Sequence, residues 1–274
     1  MASTSSPQIA HAQIDLDHIA LAAEHAMDNF DRYCGDLGGG YVMGSLSPGF
    51  WWGQLRFANR MKVEFLEPAN VEQNDFLRRF LDRSGPGAHH VTFKVEDIEL
   101  ALAAASAAGY EPINVDLENE FWKEAFLHPK QSHGIVVQLA QGIDEEDQPS
   151  DMFPPARRAQ PATLVRIVHL VADLDAAAGL FRDLLAGEVL GDGKSDLGRH
   201  LDLGWRGPGR IRLVAPADGA PKAWLGVRPG RVHHLEFACS EPATIPGARA
   251  VADGVYELLP EHNQGVRLRL HAGA

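Results

Sequence analysis

Hydrophobic and polar residues alternate along short stretches of the chain, and a helical pattern follows several of them. In Gly87–Asp97, GAHHVTFKVED, the two valines and the phenylalanine of VTFKV alternate with polar residues, which predicts a strand with one buried face. Asp97 then precedes an Ala-rich run that Gly109 ends, which is typical of a capped helix. A strand followed by a helix is therefore the predicted repeating unit.

The same pattern occurs four times, with a histidine in each predicted strand. These histidines are His18 in DHIALAAE, His90 in GAHHVTF, His169 in VHLVADL and His234 in VHHLEFA. A pattern that recurs along a chain indicates that the fold is built from repeated structural units. A histidine at one fixed place in four strands indicates a repeated module and a metal site in at least one pair of modules.

Each of the first two modules is predicted to contain a strand, a helix and three further strands. The third module follows the same plan in shorter form, whereas two prolines weaken any helix in the fourth, at SEPATIPGARAVADG. The predicted strands are Asp17–Ala22, Tyr41–Gly44, Phe50–Ala58, Met61–Leu66, His89–Val95, Glu111–Val115, Lys123–His128, Gly134–Ala140, Val165–Val171, Gly198–Gly204, Arg210–Ala215, Val255–Leu259 and Val266–His271, and the predicted helices are Asp28–Asp36, Ile98–Ala108 and Leu174–Leu185.

The predicted fold class is α+β. Four βαβββ modules would pair into two domains, each with a curved sheet around a cleft and its helices outside. Residues 1–13 are predicted to be a flexible tail, 14–141 a metal-binding domain, and 163–272 a second, degenerate domain. The segment 142–162 is acidic, then Pro-rich, then basic, which is typical of a linker.

Composition and charge narrow the functional classes. The chain has 274 residues, of which 45% are hydrophobic and 23% charged, as in globular proteins. A net charge of −12 argues against nucleic-acid binding. No apolar run approaches the roughly 18 residues of a membrane helix, and the N-terminus lacks a secretory pattern. The two cysteines, Cys34 and Cys239, form no CxxC pair, so a cytoplasmic protein is expected.

A family likeness rests on the order of several motifs. DHIALAAE, MKVEFLEP, GAHHVTFKVEDI, FLHPK and GIVVQLAQ follow one another between residues 14 and 141. In this order they resemble the vicinal oxygen chelate superfamily, which includes glyoxalase I, methylmalonyl-CoA epimerase and the type I extradiol dioxygenases. The likeness is strongest to the epimerase branch. Over residues 163–271 it rests on the shorter motifs VHLVADL, IRLVAPAD and HHLEFA.

The resemblance implies a metal site with two ligands from each of the first two modules. By motif these are His18 and Glu64, then His90 and Gln138. The separations agree, since the residue numbers differ by 46 in the first pair and by 48 in the second. Two imidazoles, a carboxylate and an amide oxygen suit Zn, Fe, Co, Ni or Mn. A small-molecule substrate would bind the ion through two oxygens.

Three features depart from the family pattern. Arg212 and Arg269 stand where the second pair of modules would supply ligands, and arginine stays protonated, so no metal is expected there. These arginines could instead hold an anionic group. Gln54 occupies the place of a catalytic glutamate of the epimerases and is not a base, although it could hydrogen-bond the substrate.

The leading hypothesis is a metal-dependent isomerase or lyase that transfers a proton next to a carbonyl. The candidates for the proton transfer are Glu64, if it leaves the metal, and Glu124 or His128 in FWKEAFLHP. A ring-cleaving dioxygenase is the first alternative, and a non-catalytic protein that sequesters a small molecule is the second. The sequence leaves both a monomer and a homodimer open.

Overall fold

Two eight-stranded sheets form the framework of the molecule. The structure is a computed structural model, which describes residues 13–143 and 152–273. Strand order in the first sheet is β2-β3-β4-β1-β5-β8-β7-β6, and the second sheet repeats it as β10-β11-β12-β9-β13-β16-β15-β14. The strands are β1 (Ile14–Ala22), β2 (Gly40–Ser47), β3 (Phe50–Arg56), β4 (Lys62–Pro68), β5 (Gly87–Val95), β6 (Ile113–Asp116), β7 (Trp122–Leu127), β8 (Val136–Gly142), β9 (Thr163–Val171), β10 (Glu188–Ser195), β11 (Gly198–Gly204), β12 (Arg210–Pro216), β13 (Gly230–Cys239), β14 (Arg249–Ala252), β15 (Val255–Leu258) and β16 (Leu268–Ala272).

The helices are short and follow the predicted module plan. The predicted cap of the second module is confirmed, because the Asp97 carboxylate accepts a hydrogen bond from Leu100 N at 3.1 Å. Asp173 caps the third module's helix in the same way, from Ala176 N at 2.9 Å. The helices are α1 (Met27–Phe30), which continues as a π-helical turn over Asp31–Asp36, α2 (Phe76–Ser84), α3 (Ile98–Ala107), α4 (Leu174–Ala178), which continues as a π-helical turn over Gly179–Leu184, and α5 (Ala220–Leu225).

The fourth module lacks a full helix, as its prolines predict. Only a 3-10 turn, Pro242–Thr244, stands in its place. The sequence analysis did not anticipate α2, α5, β10 or β14. None of the described helices has the length and apolar character needed to cross a bilayer. The predicted N-terminal tail, apart from Gln13, and the acidic segment 144–147 lie outside the described residues.

Packing groups the modules differently from the sheets. Within the described residues, one compact unit joins 13–17, 90–143 and 167–233, and the other joins 18–89, 152–166 and 234–273. Each unit therefore contains one module from each sheet. The two sheets follow the two predicted halves of the chain, but the domain boundaries themselves stay a prediction.

Each compact unit has its own aromatic core. In the first, Phe93 contacts Trp205 with ring centroids 5.0 Å apart, and the Trp205 indole donates to Leu185 O at 2.7 Å. In the second, Phe237 lies 5.0 Å from Phe57, measured between centroids. Buried aromatic pairs combine a large apolar area with a preferred edge-to-face geometry. These contacts join chain segments that are distant in sequence.

The described part of the linker is packed against the first module. The Phe153 ring stacks on Tyr41 with centroids 4.3 Å apart. The Arg157 guanidinium lies 2.6 Å from an Asp31 carboxylate oxygen and 2.8 Å from one of Asp36. Phe153 and Arg157 thus have defined partners in the first module. The sequence of the linker has no apolar periodicity, so it did not predict this packing.

Candidate metal centre

Four neighbouring strands of the first sheet carry the four predicted metal ligands. The strands lie in the order β4-β1-β5-β8, and they hold Glu64, His18, His90 and Gln138 respectively. The pairing is the same in both modules. Glu64 lies two residues beyond Lys62, the register partner of His18, and Gln138 lies two residues beyond the partner of His90. Because side chains alternate along a strand, this register puts each pair on one face of the sheet.

Three of these side chains converge. Ligand atoms of His18, Glu64 and His90 all lie within 4.8 Å of one another, and the residues are 1%, 8% and 6% exposed. His18 Nε2 lies 3.6 Å from Glu64 Oε2. With metal–ligand bonds of about 2.0–2.2 Å, two ligands of one ion lie roughly 3–4 Å apart, so this spacing fits a shared ion.

The chemistry of the three donors also fits a divalent metal ion. Two imidazole nitrogens and one carboxylate suit the borderline ions Zn, Fe, Co, Ni and Mn, and three protein donors leave coordination positions for a substrate. His18, Glu64 and His90 are therefore the residues that could hold the metal.

Gln54 holds the carboxylate of Glu64 from the neighbouring strand. The two residues are register partners on β3 and β4, and Gln54 Nε2 donates a hydrogen bond to Glu64 Oε2 at 2.9 Å. Gln54 is 4% exposed. The contact orients a metal-ligating carboxylate, which is what partners around a metal site commonly do.

Gln138 is held on both sides of its amide. Thr92 Oγ1 donates to Gln138 Oε1, and Gln138 Nε2 donates to Glu124 Oε2 at 2.7 Å. Glu124 Oε2 also accepts from Trp122 Nε1 at 2.8 Å. Glu124 thus lies beside the predicted fourth ligand. A carbonyl oxygen has two lone pairs, so Gln138 Oε1 can bind an ion while it accepts from Thr92.

Two other histidines of the first half, His128 and His89, are not among the three converging donors. His128 lies in the exposed turn after β7, where its Nδ1 accepts from Lys130 N at 3.1 Å. Its role in proton transfer stays a prediction. The ring of His89 contacts Phe76 and Phe80 at centroid distances of 5.6 and 4.8 Å, and burial lowers its pKa to about 4.

The sequence analysis missed two groups on the face of the metal ligands. Lys62, which is 7% exposed, is the register partner of His18. The alternation in MKVEF already puts it on the same face as Glu64. Helix α2 was also missed. Its Leu77 and Leu81 pack with Ala20, Ala22 and Leu66, which continue the ligand face along β1 and β4.

The second sheet carries arginines at three of the four corresponding positions. Arg212 pairs with Asp202 in the same register as Glu64 with Gln54. Arg269 pairs with Glu236, two residues beyond His234, as Gln138 pairs two residues beyond His90. Counting back from Arg212 along the β9–β12 register gives Arg166 the place of His18.

The prediction that His169 occupies that place is wrong. Its register partner is Leu213, one residue beyond Arg212, so its side chain points to the other face of the sheet. There it is 1% exposed, and its Nε2 bonds His133 O at 2.8 Å. Burial lowers the pKa of His169 to about 4. A short motif located this histidine in a strand but left its register three residues in error.

Ion pairs occupy the positions of Arg212 and Arg166. Arg212 forms a two-pronged pair with Asp202, with N–O distances of 2.6 and 2.7 Å. Arg166 Nε lies 2.7 Å from Glu236 Oε2, and His234 Nε2 lies 3.2 Å from Glu236 Oε1. Pairing of this kind favours the ionised form of a carboxylate.

Acid is expected to weaken the fold through Glu236. Burial acts to raise its pKa, but the hydrogen bond to His234 and the charges of Arg166 and His271 outweigh this and lower the pKa to about 2. The stabilisation is therefore complete above the ordinary value of 4.5 and is lost as the pH falls towards 2. We expect a loss of up to about 3 kcal/mol.

Urea unfolding at pH 6 and pH 3 measures this effect. The variant Glu236→Gln should lose less stability than the wild type between the two pH values. An equal loss in both proteins would show that Glu236 does not carry the acid sensitivity.

A family model supports this interpretation of the first half. The model described as "Glyoxalase/Bleomycin resistance protein/Dioxygenase superfamily", the vicinal oxygen chelate superfamily, matches residues 17–126. These residues match the superfamily that the motifs of the first half resemble. The match includes the strands that bear His18, Glu64 and His90. No curated protein matches the chain.

Solved structures resemble this chain over one half or over nearly its whole length. A hypothetical protein from Staphylococcus aureus is similar over 95% of this chain and 100% of its own, with 11% identity and a TM-score of 0.61. That similarity shows the fold alone. Methylmalonyl-CoA epimerase from Streptomyces coelicolor is 20% identical over 47% of this chain and 98% of its own, with a TM-score of 0.42. The epimerase from Mycobacterium tuberculosis is 18% identical over 53% of this chain and 93% of its own, with a TM-score of 0.43.

Proposed function

We propose that this protein is a metal-dependent enzyme of glyoxalase or epimerase type, which transfers a proton on the carbon next to a carbonyl group of a small substrate. The observation that carries the proposal is the convergence of His18, Glu64 and His90 on one buried point. A bound divalent ion would supply Lewis-acid stabilisation of the negative charge on the carbonyl oxygen. The superfamily match is consistent with this chemistry.

Glu124 is the proposed proton-transferring residue. Its carboxylate is fixed by hydrogen bonds from Trp122 and Gln138, and it stands outside the three converging donors. Gln54 lies on the opposite flank, next to Glu64, and an amide has no useful basicity. The two sides of the site therefore differ, because the Glu124 carboxylate can accept a proton and the Gln54 amide cannot. This arrangement favours isomerisation or elimination over a two-base epimerisation.

Replacement of Glu124 by glutamine is expected to slow proton transfer by about 100-fold or more, while the bound metal is retained, because general bases contribute about this factor. The measurement is deuterium uptake from D2O, by NMR, into 2-oxo acids such as 2-oxobutyrate and into acyl thioesters. Glu120→Gln, an exposed position in the same segment, is the control and should exchange normally. Unchanged exchange in Glu124→Gln would remove Glu124 from the mechanism.

A ring-cleaving dioxygenase is the second candidate, and the donor set favours it. Two histidines and one carboxylate are the ligands of non-heme iron oxygenases. Iron in the purified protein, together with oxygen consumption on catechols, would select this function. Zinc, nickel, cobalt or manganese with deuterium exchange would select the isomerase or lyase. A cytoplasmic location and pairing between copies stay predictions from the sequence.

A further inference from the structure

Gln54 presents a buried hydrogen-bond acceptor that the protein does not satisfy. Glu64 is an acceptor when ionised, so the Gln54 amide must turn its NH2 group towards Glu64, and Nε2 lies 2.9 Å from Oε2. The amide oxygen, Oε1, therefore lies on the side of the amide group that faces away from Glu64. Among the described residues, Oε1 is buried and has no hydrogen-bond partner. Native proteins rarely leave such an atom unpaired, and an exception calls for an explanation.

The residue opposite Gln54 on the next strand offers no donor. This residue is Met43 on β2, whose thioether is only a weak acceptor. Met43 is half-buried, and a methionine side chain has three rotatable bonds, so it can move aside when a ligand enters. A donor for Gln54 Oε1 can therefore come from a ligand bound beside Glu64.

We propose that Gln54 is a specificity residue that selects ligands with a hydroxyl group next to a carboxylate or carbonyl, because the hydroxyl proton would be donated to Gln54 Oε1. The inference rests on the proposed function, since the ligand is to bind the metal at His18, Glu64 and His90. It adds the class of ligand, namely an α-hydroxy acid or α-hydroxy carbonyl compound. A ligand with a keto oxygen at the same place would leave the acceptor unpaired and bind less tightly.

The test compares lactate and pyruvate, two small acids that can bind a metal through two oxygens and differ at the hydroxyl or keto position. Their dissociation constants are measured by calorimetry on protein loaded with zinc. The wild type should bind lactate at least about tenfold more tightly than pyruvate. Gln54→Met, which removes the acceptor but keeps the size of the side chain, should bind the two acids about equally. Gln73→Met, the same change at an exposed turn, should keep the preference.

Metal content, measured on the same samples, separates the two levels of the proposal. With zinc bound, the specificity role is overturned if the wild type binds the acids equally or prefers pyruvate, if neither acid binds, or if Gln54→Met keeps the preference for lactate. In those cases the metal centre stands. If the wild type binds no zinc, the proposed function fails and the role of Gln54 fails with it.

Discussion

Replacement of His90 by alanine is expected to weaken binding of a divalent metal ion by more than about 100-fold. His90 is one of three side chains whose ligand atoms lie within 4.8 Å of one another. Loss of even an outer-shell partner typically costs about 10–100-fold in metal affinity, and His90 would bind the ion directly. Isothermal titration with cobalt(II) measures the change.

The control for this variant is a histidine outside the site. The side chain of His25 is 74% exposed, and its Nδ1 lies 4.0 Å from a carboxylate oxygen of Glu67. His25→Ala should therefore bind cobalt(II) like the wild type. Equal affinities in His90→Ala and the wild type would contradict the assignment of His90 as a ligand.

Replacement of Phe237 by alanine is expected to lower the free energy of unfolding by about 3–5 kcal/mol, the usual cost of removing a buried phenylalanine ring. Phe237 is fully buried and contacts the rings of Phe57 and Tyr33, at centroid distances of 5.0 and 6.4 Å. The change would leave a cavity between the last module and the first, within one compact unit. Urea unfolding of the whole chain measures the loss.

Phe121 provides the matched control, because its side chain is 64% exposed and the same change removes no buried ring. Phe121→Ala should change the unfolding free energy by less than about 0.5 kcal/mol. If Phe237→Ala has an equally small effect, the proposed packing between these modules is wrong.

Local signals in the sequence predicted the individual modules well. Alternating apolar residues located most of the strands, and Asp97 marked a helix start that its side chain does cap. The prolines of the fourth module were expected to weaken its helix, and only a short 3-10 turn stands there. These features depend on neighbours in the chain, so the sequence reveals them directly.

Features that depend on packing were harder to predict. Helix α2 has apolar residues at helical spacing, Phe76, Leu77, Phe80 and Leu81, but nothing local shows that it covers the face of the metal ligands. Likewise, no local signal pairs Phe93 with Trp205 or Phe57 with Phe237. Such contacts join segments that are distant in the chain.

The residues of the candidate site also fall into those that local motifs predict and those that depend on packing. His18, Glu64 and His90 come from motifs whose strand register repeats, and the structure brings their ligand atoms together. His169 comes from a shorter motif, and there the register differs by three residues. The hydrogen bonds that hold Gln138 involve Thr92 and Glu124 on two other strands, so the pattern of β8 alone could not reveal them.

The most direct test of the central claim is the position of the metal in a crystal of the native protein, purified without chelators. Anomalous scattering recorded at the absorption edge of the metal found by elemental analysis locates the ion independently of the chain. We predict one peak within about 2.0–2.3 Å of the nearest nitrogen of His18, the nearest nitrogen of His90 and an oxygen of Glu64. A metal peak elsewhere, or crystals of native protein without any such peak, would contradict the account.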